Sequence, residues 1–393
     1  MDNAKALQFL QTGQEKYRAA DYDAAINEFW KAIQENPAFT DAYIARGLAK
    51  YALFRYNAAI ADFDKALELN PANAAVLTYR ADALQDNGDY KKAIEDYTRA
   101  LKLEPQNYTL YYKRAEAKIN RGSLSTALAD YNRAVKLNPA DFNLLCDRAF
   151  ALQQIGKYAE ALNDLTAALN LNDQDAVAHK ERGYICYLME NYPAALTDLN
   201  RAIALRPAYQ AAYRCRADVY KALQNYAQAL ADYNKAIEIK PTDDEALFNR
   251  AIVNDLCGNT QAAIADLDKV LIFKPHFPEA FYNRAVLKFA MEDYPAALAD
   301  FDKAIELAPD ANAYYNRAIT KHNLQNFAGA IEDYSRALKL QPNDAAAYEN
   351  RADDHLILGN TPAAKQDYEQ ALRLNPNNDN LKLKIARLIP DTK

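Results

Sequence analysis

The chain has 393 residues, of which half are apolar and only nine are glycine, so it has ample apolar side-chain volume for a continuous core. Its net charge is −6 with acids and bases interspersed, which excludes the basic surface typical of proteins that bind nucleic acids or anionic lipids. No apolar run approaches the roughly 20 residues that a bilayer-spanning helix needs. The start, MDNAKALQFL, lacks the layout of an export signal, so we expect a cytoplasmic protein without membrane insertion.

A proline recurs every 34 residues along the chain, from Pro37 to Pro376. One residue is missing before Pro342, and Asp173 fills the one vacant place. A fixed period of this length indicates stacked repeats, and numbering the proline as position 32 defines eleven of them, beginning near residue 6. A repeat array counts as one unit, so we predict one domain over residues 1–376 and a C-terminal capping helix and tail over residues 377–393.

Small residues recur at three positions of every repeat and predict two closely packed helices. Position 20 is always alanine, position 8 is glycine or alanine, and position 27 is alanine except at Val270. Bulkier residues there would push the helix backbones apart. Glycine is frequent at position 15, where the first helix must end and turn. Each repeat is therefore predicted to be a helical hairpin, and no segment has a strand pattern.

The tail after the last repeat has the pattern of one more short helix. Leu381, Ile385 and Leu388 are spaced to form an apolar stripe beside basic residues. Such a helix would cover the core of the last repeat. If it detached instead, it would be a plausible donor to the groove of a neighbouring copy.

This arrangement of small and aromatic residues over a 34-residue helix–turn–helix that ends in proline resembles the tetratricopeptide repeat family. The resemblance covers residues 6–376. It implies an all-α fold, a right-handed superhelical α-solenoid of eleven repeats, with a concave groove where partner proteins bind. The family's tryptophan at position 4 is absent, and Trp30 lies elsewhere, but tyrosine, phenylalanine, leucine or histidine fills that place.

Arginine at position 7 and aspartate at position 23 occur together in ten repeats, from Arg46 and Asp62 to Arg351 and Asp367. Position 7 lies on the packing stripe of the first helix, where an unpaired guanidinium would cost several kcal/mol. We therefore predict bidentate ion pairs, either within one repeat or with the preceding repeat. The less favoured alternative is that the arginines bind an acidic ligand.

Position 6 lies on the opposite stripe of the first helix, with positions 2, 5, 9, 12 and 13 close to it. The resemblance implies that this stripe faces the groove, and we name it the groove face. From the eighth repeat onward position 6 is asparagine: Asn249, Asn283, Asn316 and Asn350. A carboxamide offers the donor and the acceptor that a peptide bond needs. The row is similar to the asparagine ladder of O-linked N-acetylglucosamine transferases, although nothing here resembles their catalytic domain.

Apolar and aromatic residues flank this row on the groove face, which is typical of peptide-binding sites. They are Phe248, Tyr282, Tyr315, Ile252, Val286, Ile319 and Phe289. Four amide contacts of about 0.5–1.5 kcal/mol each cannot offset an association cost of roughly 4–15 kcal/mol, so the aromatic residues must contribute. The equally weighted alternative is that the asparagines only solvate the groove.

These patterns predict a non-enzymatic scaffold that binds an extended peptide segment of a partner protein, with the best candidate site in repeats 8–11. The alternative is a self-assembling structural protein. The four cysteines and four histidines are scattered, without metal-ligand spacing, and no glycine-rich phosphate loop or catalytic cluster occurs. We therefore expect no metal, no cofactor and no catalytic residue.

Overall fold

The computed structural model describes residues 2–388, which form 23 α-helices and no strand, as the predicted all-α fold requires. Each repeat has a first helix and a second helix. The first helices are α1 (Asn3–Arg18), α3 (Thr40–Ala52), α5 (Ala74–Asp86), α7 (Tyr108–Asn120), α9 (Phe142–Gln154), α11 (Ala176–Leu188), α13 (Gln210–Ala222), α15 (Asp244–Leu256), α17 (Pro278–Ala290), α19 (Ala311–Asn323) and α21 (Ala345–Ile357). The second helices are α2 (Tyr22–Glu35), α4 (Tyr56–Leu69), α6 (Tyr90–Leu103), α8 (Leu124–Leu137), α10 (Tyr158–Leu171), α12 (Tyr192–Leu205), α14 (Tyr226–Ile239), α16 (Thr260–Phe273), α18 (Tyr294–Leu307), α20 (Phe327–Leu340) and α22 (Thr361–Leu374).

The chain divides into two compact units, one on each side of the bond between Asp198 and Leu199. Within each unit the second helix of a repeat folds back on the first and also packs against the first helix of the next repeat. The single domain predicted over residues 1–376 stays a prediction. None of the helices in residues 2–388 combines the length and the apolar composition that crossing a bilayer requires.

The small positions lie where the two helices of a hairpin touch, as predicted. The alanine at position 20 is completely buried in all eleven repeats. At position 8, a Cβ added to Gly47 would lie 2.6 Å from the ring of Phe63, which is itself fully buried. The small residue therefore makes room for the aromatic residue of the second helix.

Position 15 has a left-handed backbone in every repeat, with φ between 58° and 85°. Gly88 shows the turn: its N–H bonds the carbonyl of Gln85, and the N–H of Asp89 bonds the carbonyl of Leu84. These bonds end the first helix and redirect the chain into the second. Six repeats have a residue other than glycine there, among them Phe54, and accept the associated strain.

Each arginine at position 7 pairs with the aspartate at position 23 of its own repeat, which decides between the two predicted arrangements. Arg284 is typical: its Nε and Nη2 donate to the two oxygens of Asp300 at 2.8 and 2.6 Å. The same bidentate geometry occurs in ten repeats. The aspartates are buried, so these pairs are internal structure and leave the acidic-ligand alternative without support.

Most of these arginines also join neighbouring repeats through a third N–H. Nη1 of Arg284 donates to Asp268 at position 25 of the preceding repeat, and Arg351 bonds Ser335 in the same way. The arginine also lies over the aromatic ring at position 4, as Arg284 does at 5.5 Å from the ring centre of Phe281. One side chain thus fixes its own hairpin and its stacking on the preceding one.

The tail forms the predicted capping helix, α23 (Asp379–Ala386). Leu381 is buried against the last repeat, with Ile385 and Leu388 partly buried in the same cluster. Lys384 bonds Glu349 and both oxygens of Asp353 on α21. The helix therefore occupies the place of a twelfth first helix. Residues 389–393 of the predicted tail lie outside the described residues.

Candidate peptide-binding site on the groove face

Two of the four asparagines donate a hydrogen bond to the tyrosine at position 5 of the preceding repeat. Nδ2 of Asn316 lies 2.8 Å from the hydroxyl oxygen of Tyr282, and Nδ2 of Asn350 lies 3.1 Å from that of Tyr315. All four side chains are half-buried. These two carboxamides therefore connect neighbouring repeats, and each keeps its Oδ1 atom and its second N–H outside those bonds.

Asn249 also bonds the preceding repeat, through different residues. It donates to Asp218 at 3.1 Å and accepts from Nζ of Lys221 at 3.0 Å. Both its donor and its acceptor are thus engaged inside the chain. The described hydrogen bonds of the Asn249 side chain therefore join the eighth repeat to the seventh.

Asn283 differs from the other three because its side chain makes no hydrogen bond to any residue that the structure describes. The residue at position 5 of the preceding repeat is Phe248, which has no hydroxyl to accept the amide. Asn283 therefore presents an unused donor and an unused acceptor on the groove face. Neither group is fully buried, so water satisfies them in the absence of a ligand.

Two pockets adjoin Tyr282 and Asn283, and both residues line each of them. The first pocket, of about 310 Å³, extends toward α15 and is lined by Ala251, Ile252, Asp255, Leu267, Tyr282, Asn283, Val286 and Leu287. The second, of about 540 Å³, extends toward α19 and is lined by Phe248, Pro278, Glu279, Tyr282, Asn283, Ala304, Ala308, Pro309, Asp310, Asn312 and Ala313. The free carboxamide thus lies between two mainly apolar recesses.

The tyrosines predicted to bind a ligand are also part of the packing. The ring of Tyr282 meets Phe301 edge-on at 5.9 Å, and Tyr315 meets Tyr334 in the same way at 5.8 Å. Burial raises the pKa of both hydroxyl groups, against the lowering effect of the asparagine that donates to each. Both hydroxyls therefore stay protonated at neutral pH, so the Tyr282 hydroxyl keeps a proton that it can donate.

The remaining predicted residues lie in different surroundings. Phe248 packs on Phe277 at 5.0 Å and lines the second pocket, while Phe289 packs on Tyr294 at 5.3 Å and lines neither. Ile252 and Val286 line the first pocket. Ile319 is partly buried with the core cluster of the tenth repeat. The structure thus brings five of the eleven predicted residues together around the pockets: Phe248, Tyr282, Asn283, Ile252 and Val286. The other six lie outside both linings: Asn249, Asn316, Asn350, Tyr315, Ile319 and Phe289.

Contacts from position 6 to the preceding repeat are a general feature that the sequence analysis missed. Lys113 bonds Asp82 at 2.6 Å, and Lys384 of α23 bonds Glu349 and Asp353. In the reverse direction, the hydroxyl of Tyr112 donates to Asp147. These contacts could have been predicted, because residues at position 6 of one repeat can often hydrogen-bond the residue at position 5 or 9 of the preceding repeat.

A clamp for two ligand carboxylates would need lysine at position 5 and asparagine at position 9 of one repeat. Lys180 stands at position 5 but is followed by Tyr184, and Arg214 is followed by Asp218 and pairs with Glu245 and Asp243. No group of three or more histidine, cysteine, aspartate or glutamate side chains in residues 2–388 is placed to hold a metal ion.

Comparison with solved structures finds helical repeat proteins. The C-terminal part of a repeat protein from Cytophaga hutchinsonii matches with a TM-score of 0.53 and 17% identity, covering 61% of this chain and 98% of that one. A tetratricopeptide repeat protein from Parabacteroides merdae matches with a TM-score of 0.48 and 25% identity, covering 63% and 99%. YrrB, described as a protein of this kind with an unusual peptide-binding site, matches with a TM-score of 0.43 and 28% identity, covering 47% and 95%.

Models of the tetratricopeptide repeat match well over half of the chain. The matched segments are residues 40–73, 79–142, 117–180, 217–254, 278–310, 311–344 and 345–378. No curated protein sequence matches at a significant level. The repeat frame, the hairpin fold and these matches agree, and the chain belongs to the tetratricopeptide repeat family, whose members are scaffolds for protein–protein interaction.

Proposed function

We propose that this chain is a non-enzymatic scaffold whose groove face binds an extended peptide segment of a partner protein, with the contact centred on Asn283. The observation that carries the proposal is the unused carboxamide of Asn283 between two mainly apolar pockets. An extended peptide has an N–H and a carbonyl that this carboxamide can pair with, and side chains that the pockets can accept.

The energetics require both features. One amide that makes two hydrogen bonds contributes about 1–3 kcal/mol net, which is below the roughly 4–15 kcal/mol cost of association. Burying apolar side chains contributes about 1.5–3 kcal/mol for each one that is fully covered. Two filled pockets together with the amide therefore reach weak to moderate affinity, and additional contacts along the groove face would strengthen it.

The proposal is tested by comparing proteins retained from a cell extract by the wild-type chain and by Asn283→Ala. Asn163→Ala is the matched control, because Asn163 is exposed on the second helix α10. We expect at least one protein to be retained by the wild type and the control but lost with Asn283→Ala, while the helical content and melting temperature of the three chains agree. Equal retention by all three would contradict the proposal.

Self-assembly, the alternative, receives less support from the described contacts. The C-terminal helix that would serve as the donor is docked on its own last repeat through Leu381 and Lys384. Measurement of the solution mass over a wide concentration range separates the two functions, because a scaffold for other proteins keeps a constant mass and a self-assembling chain does not.

A further inference from the structure

We infer that the segment bound at Asn283 is basic and apolar, with lysine or arginine next to two apolar side chains. The inference rests on the proposed function and specifies its ligand. It is carried by the charges around the two pockets together with their apolar lining.

Carboxylates are the only charged side chains that line either pocket. Asp255 belongs to the first pocket, and Glu279 and Asp310 belong to the second. All three are exposed, and none forms an ion pair with another residue among 2–388. This is unlike the ten aspartates at position 23, each of which pairs with the arginine at position 7 of its own repeat.

Three unpaired carboxylates beside a recess attract a cationic segment and repel an acidic one. The attraction between exposed charges acts over about one Debye length, roughly 8 Å at physiological ionic strength. It therefore selects among ligands and weakens as salt is added. An acidic segment would place like charges next to Asp255 and Glu279 as it entered the pockets.

The apolar part of the ligand follows from the lining. Ile252, Val286 and Leu287 line the first pocket, and Phe248, Ala304 and Pro309 line the second. Side chains two residues apart in an extended peptide lie on the same face at a spacing of roughly 7 Å. Two such side chains can reach the pockets on either side of Asn283 while its carboxamide pairs with the peptide backbone between them.

The test measures binding of labelled peptides to the full chain by fluorescence anisotropy. The probes share a core of two leucines separated by one residue, and are flanked by lysine, by serine or by glutamate. At about 50 mM salt we expect the lysine peptide to bind at least about tenfold more tightly than the serine peptide. The glutamate peptide should bind weakest, and the advantage of lysine should shrink at about 500 mM salt.

Variants test whether the preference for lysine-flanked peptides depends on the carboxylates that line the two pockets. Asp255→Asn together with Glu279→Gln removes two of the three carboxylates and should reduce the preference for lysine severalfold. Both residues are exposed, so the fold is not at risk. Glu332→Gln, an exposed acid of the second helix α20, is the matched control and should keep the preference. Because Asp310 caps α19 through two backbone N–H groups, it is left unchanged.

The outcomes separate this inference from the proposed function. Equal affinity of the wild type for the lysine and serine peptides, or a lysine preference as large in the double variant as in the wild type, would overturn the basic ligand, while the proposal of peptide binding would stand. If no peptide bound, the site would bind another class of ligand. If unlabelled protein displaced the probe and the mass of the protein rose with its concentration, the site would bind a second copy of the chain. Either of those results would overturn the inference.

Discussion

The amide nitrogen of Asn316 lies 2.8 Å from the hydroxyl oxygen of Tyr282, so a residue expected to bind ligand instead joins two neighbouring repeats. The next asparagine, Asn350, repeats this bond with Tyr315. Asn283 cannot, because Phe248 stands where those tyrosines stand. The absence of one hydroxyl thus leaves the Asn283 carboxamide outside the bonds by which Asn316 and Asn350 join neighbouring repeats.

Adding a hydroxyl at residue 248 should give Asn283 the hydrogen bond to the preceding repeat that Asn316 and Asn350 already make. In Phe248→Tyr, the new hydroxyl is placed to accept the Asn283 amide, which should raise the free energy of unfolding by about 0.5–1.5 kcal/mol. Peptide affinity should fall because the donor is engaged. Urea denaturation and the anisotropy assay measure the two effects. Higher stability with undiminished binding would show that the Asn283 amide does not contact the ligand.

Tyr282→Phe tests the hydrogen bond from Asn316 to the Tyr282 hydroxyl by removing its acceptor. The variant keeps the ring against Phe301 and leaves the half-buried Asn316 amide without its acceptor. We expect a loss of about 0.5–1.5 kcal/mol in the free energy of unfolding. Tyr43→Phe is the control, since no hydrogen bond of its hydroxyl is found in the described residues. Equal stability of Tyr282→Phe and the wild type would refute the structural role.

The stability lost on removing an arginine at position 7 should depend on whether a lysine also contacts the paired aspartate. Asp300 retains Lys288 at 2.7 Å when Arg284 is removed, whereas Asp266 without Arg250 keeps only the amide of Asn254 at 3.5 Å. Removing one partner of a buried pair costs about 3–5 kcal/mol, so Arg250→Ala should approach that range and Arg284→Ala should stay below it. Urea midpoints of the two variants give the comparison. Identical losses would contradict the compensating role of Lys288.

Glu116 on the groove face of the first unit should make stability depend on pH. Burial, with Asp147 and Asp82 nearby, raises the pKa of its carboxyl from an ordinary value of 4.5 to about 7, although Lys113 acts in the opposite direction. The folded chain therefore binds more protons than the unfolded chain between these values, and its stability falls as pH rises through that window.

Glu116→Gln removes this titration, so the variant should gain melting temperature over the wild type at pH about 8 and much less at pH about 5. Glu95→Gln, an exposed acid on α6, should show no such difference. The same gain at both pH values would rule out the titration of Glu116 as its cause.

Asp354 is a buried carboxylate at position 10, where nine other repeats have an apolar or small residue and the first repeat has the exposed Glu15. Its Oδ1 contacts His322 at 2.5 Å, while Oδ2 has no hydrogen-bond partner among the described residues, and burial raises the pKa of the group. Position 10 is alanine in the second to fifth repeats, at Ala49, Ala83, Ala117 and Ala151. Asp354→Ala should therefore raise the free energy of unfolding by about 1–2 kcal/mol at neutral pH.

The gain from Asp354→Ala should shrink in acid, where the wild-type carboxyl binds a proton and its burial becomes less costly. His322 is partly exposed and can bond water once its partner is removed. Thermal melting at neutral and acid pH measures both effects. A variant less stable than the wild type at neutral pH would mean that the contact with His322 outweighs the burial.

Features that recur in every repeat could be predicted from the sequence. The hairpin and the pairing of arginine with aspartate depend on residue types that return ten or eleven times, so their common role was visible without coordinates. The turn at position 15 could be predicted from glycine in five repeats, and the other six adopt the same backbone. The sequence could not predict whether an arginine pairs with the aspartate of its own repeat or with that of the preceding repeat. Positions 7 and 23 recur with the same spacing in both cases. That choice depends on distances between packed helices.

The candidate site was predicted only in part, because its features vary from repeat to repeat. A row of four asparagines indicated one common role, but Asn249, Asn316 and Asn350 bond the preceding repeat and Asn283 does not. The difference lies in what stands at position 5 or 9 one repeat earlier. Comparing one position across all repeats does not reveal these bonds, because each joins position 6 of one repeat to a different position of the preceding repeat.

The most direct test of this account is nuclear magnetic resonance of the chain labelled with ¹⁵N only in asparagine, titrated with the lysine-flanked peptide. Loss of a signal in Asn283→Ala, Asn316→Ala or Asn350→Ala assigns each side-chain amide. We predict that the Asn283 amide shifts strongly and exchanges with solvent more slowly on binding, while the amides of Asn316 and Asn350 are already protected in the free chain. An Asn283 amide that stays unchanged when the peptide is bound would contradict the account.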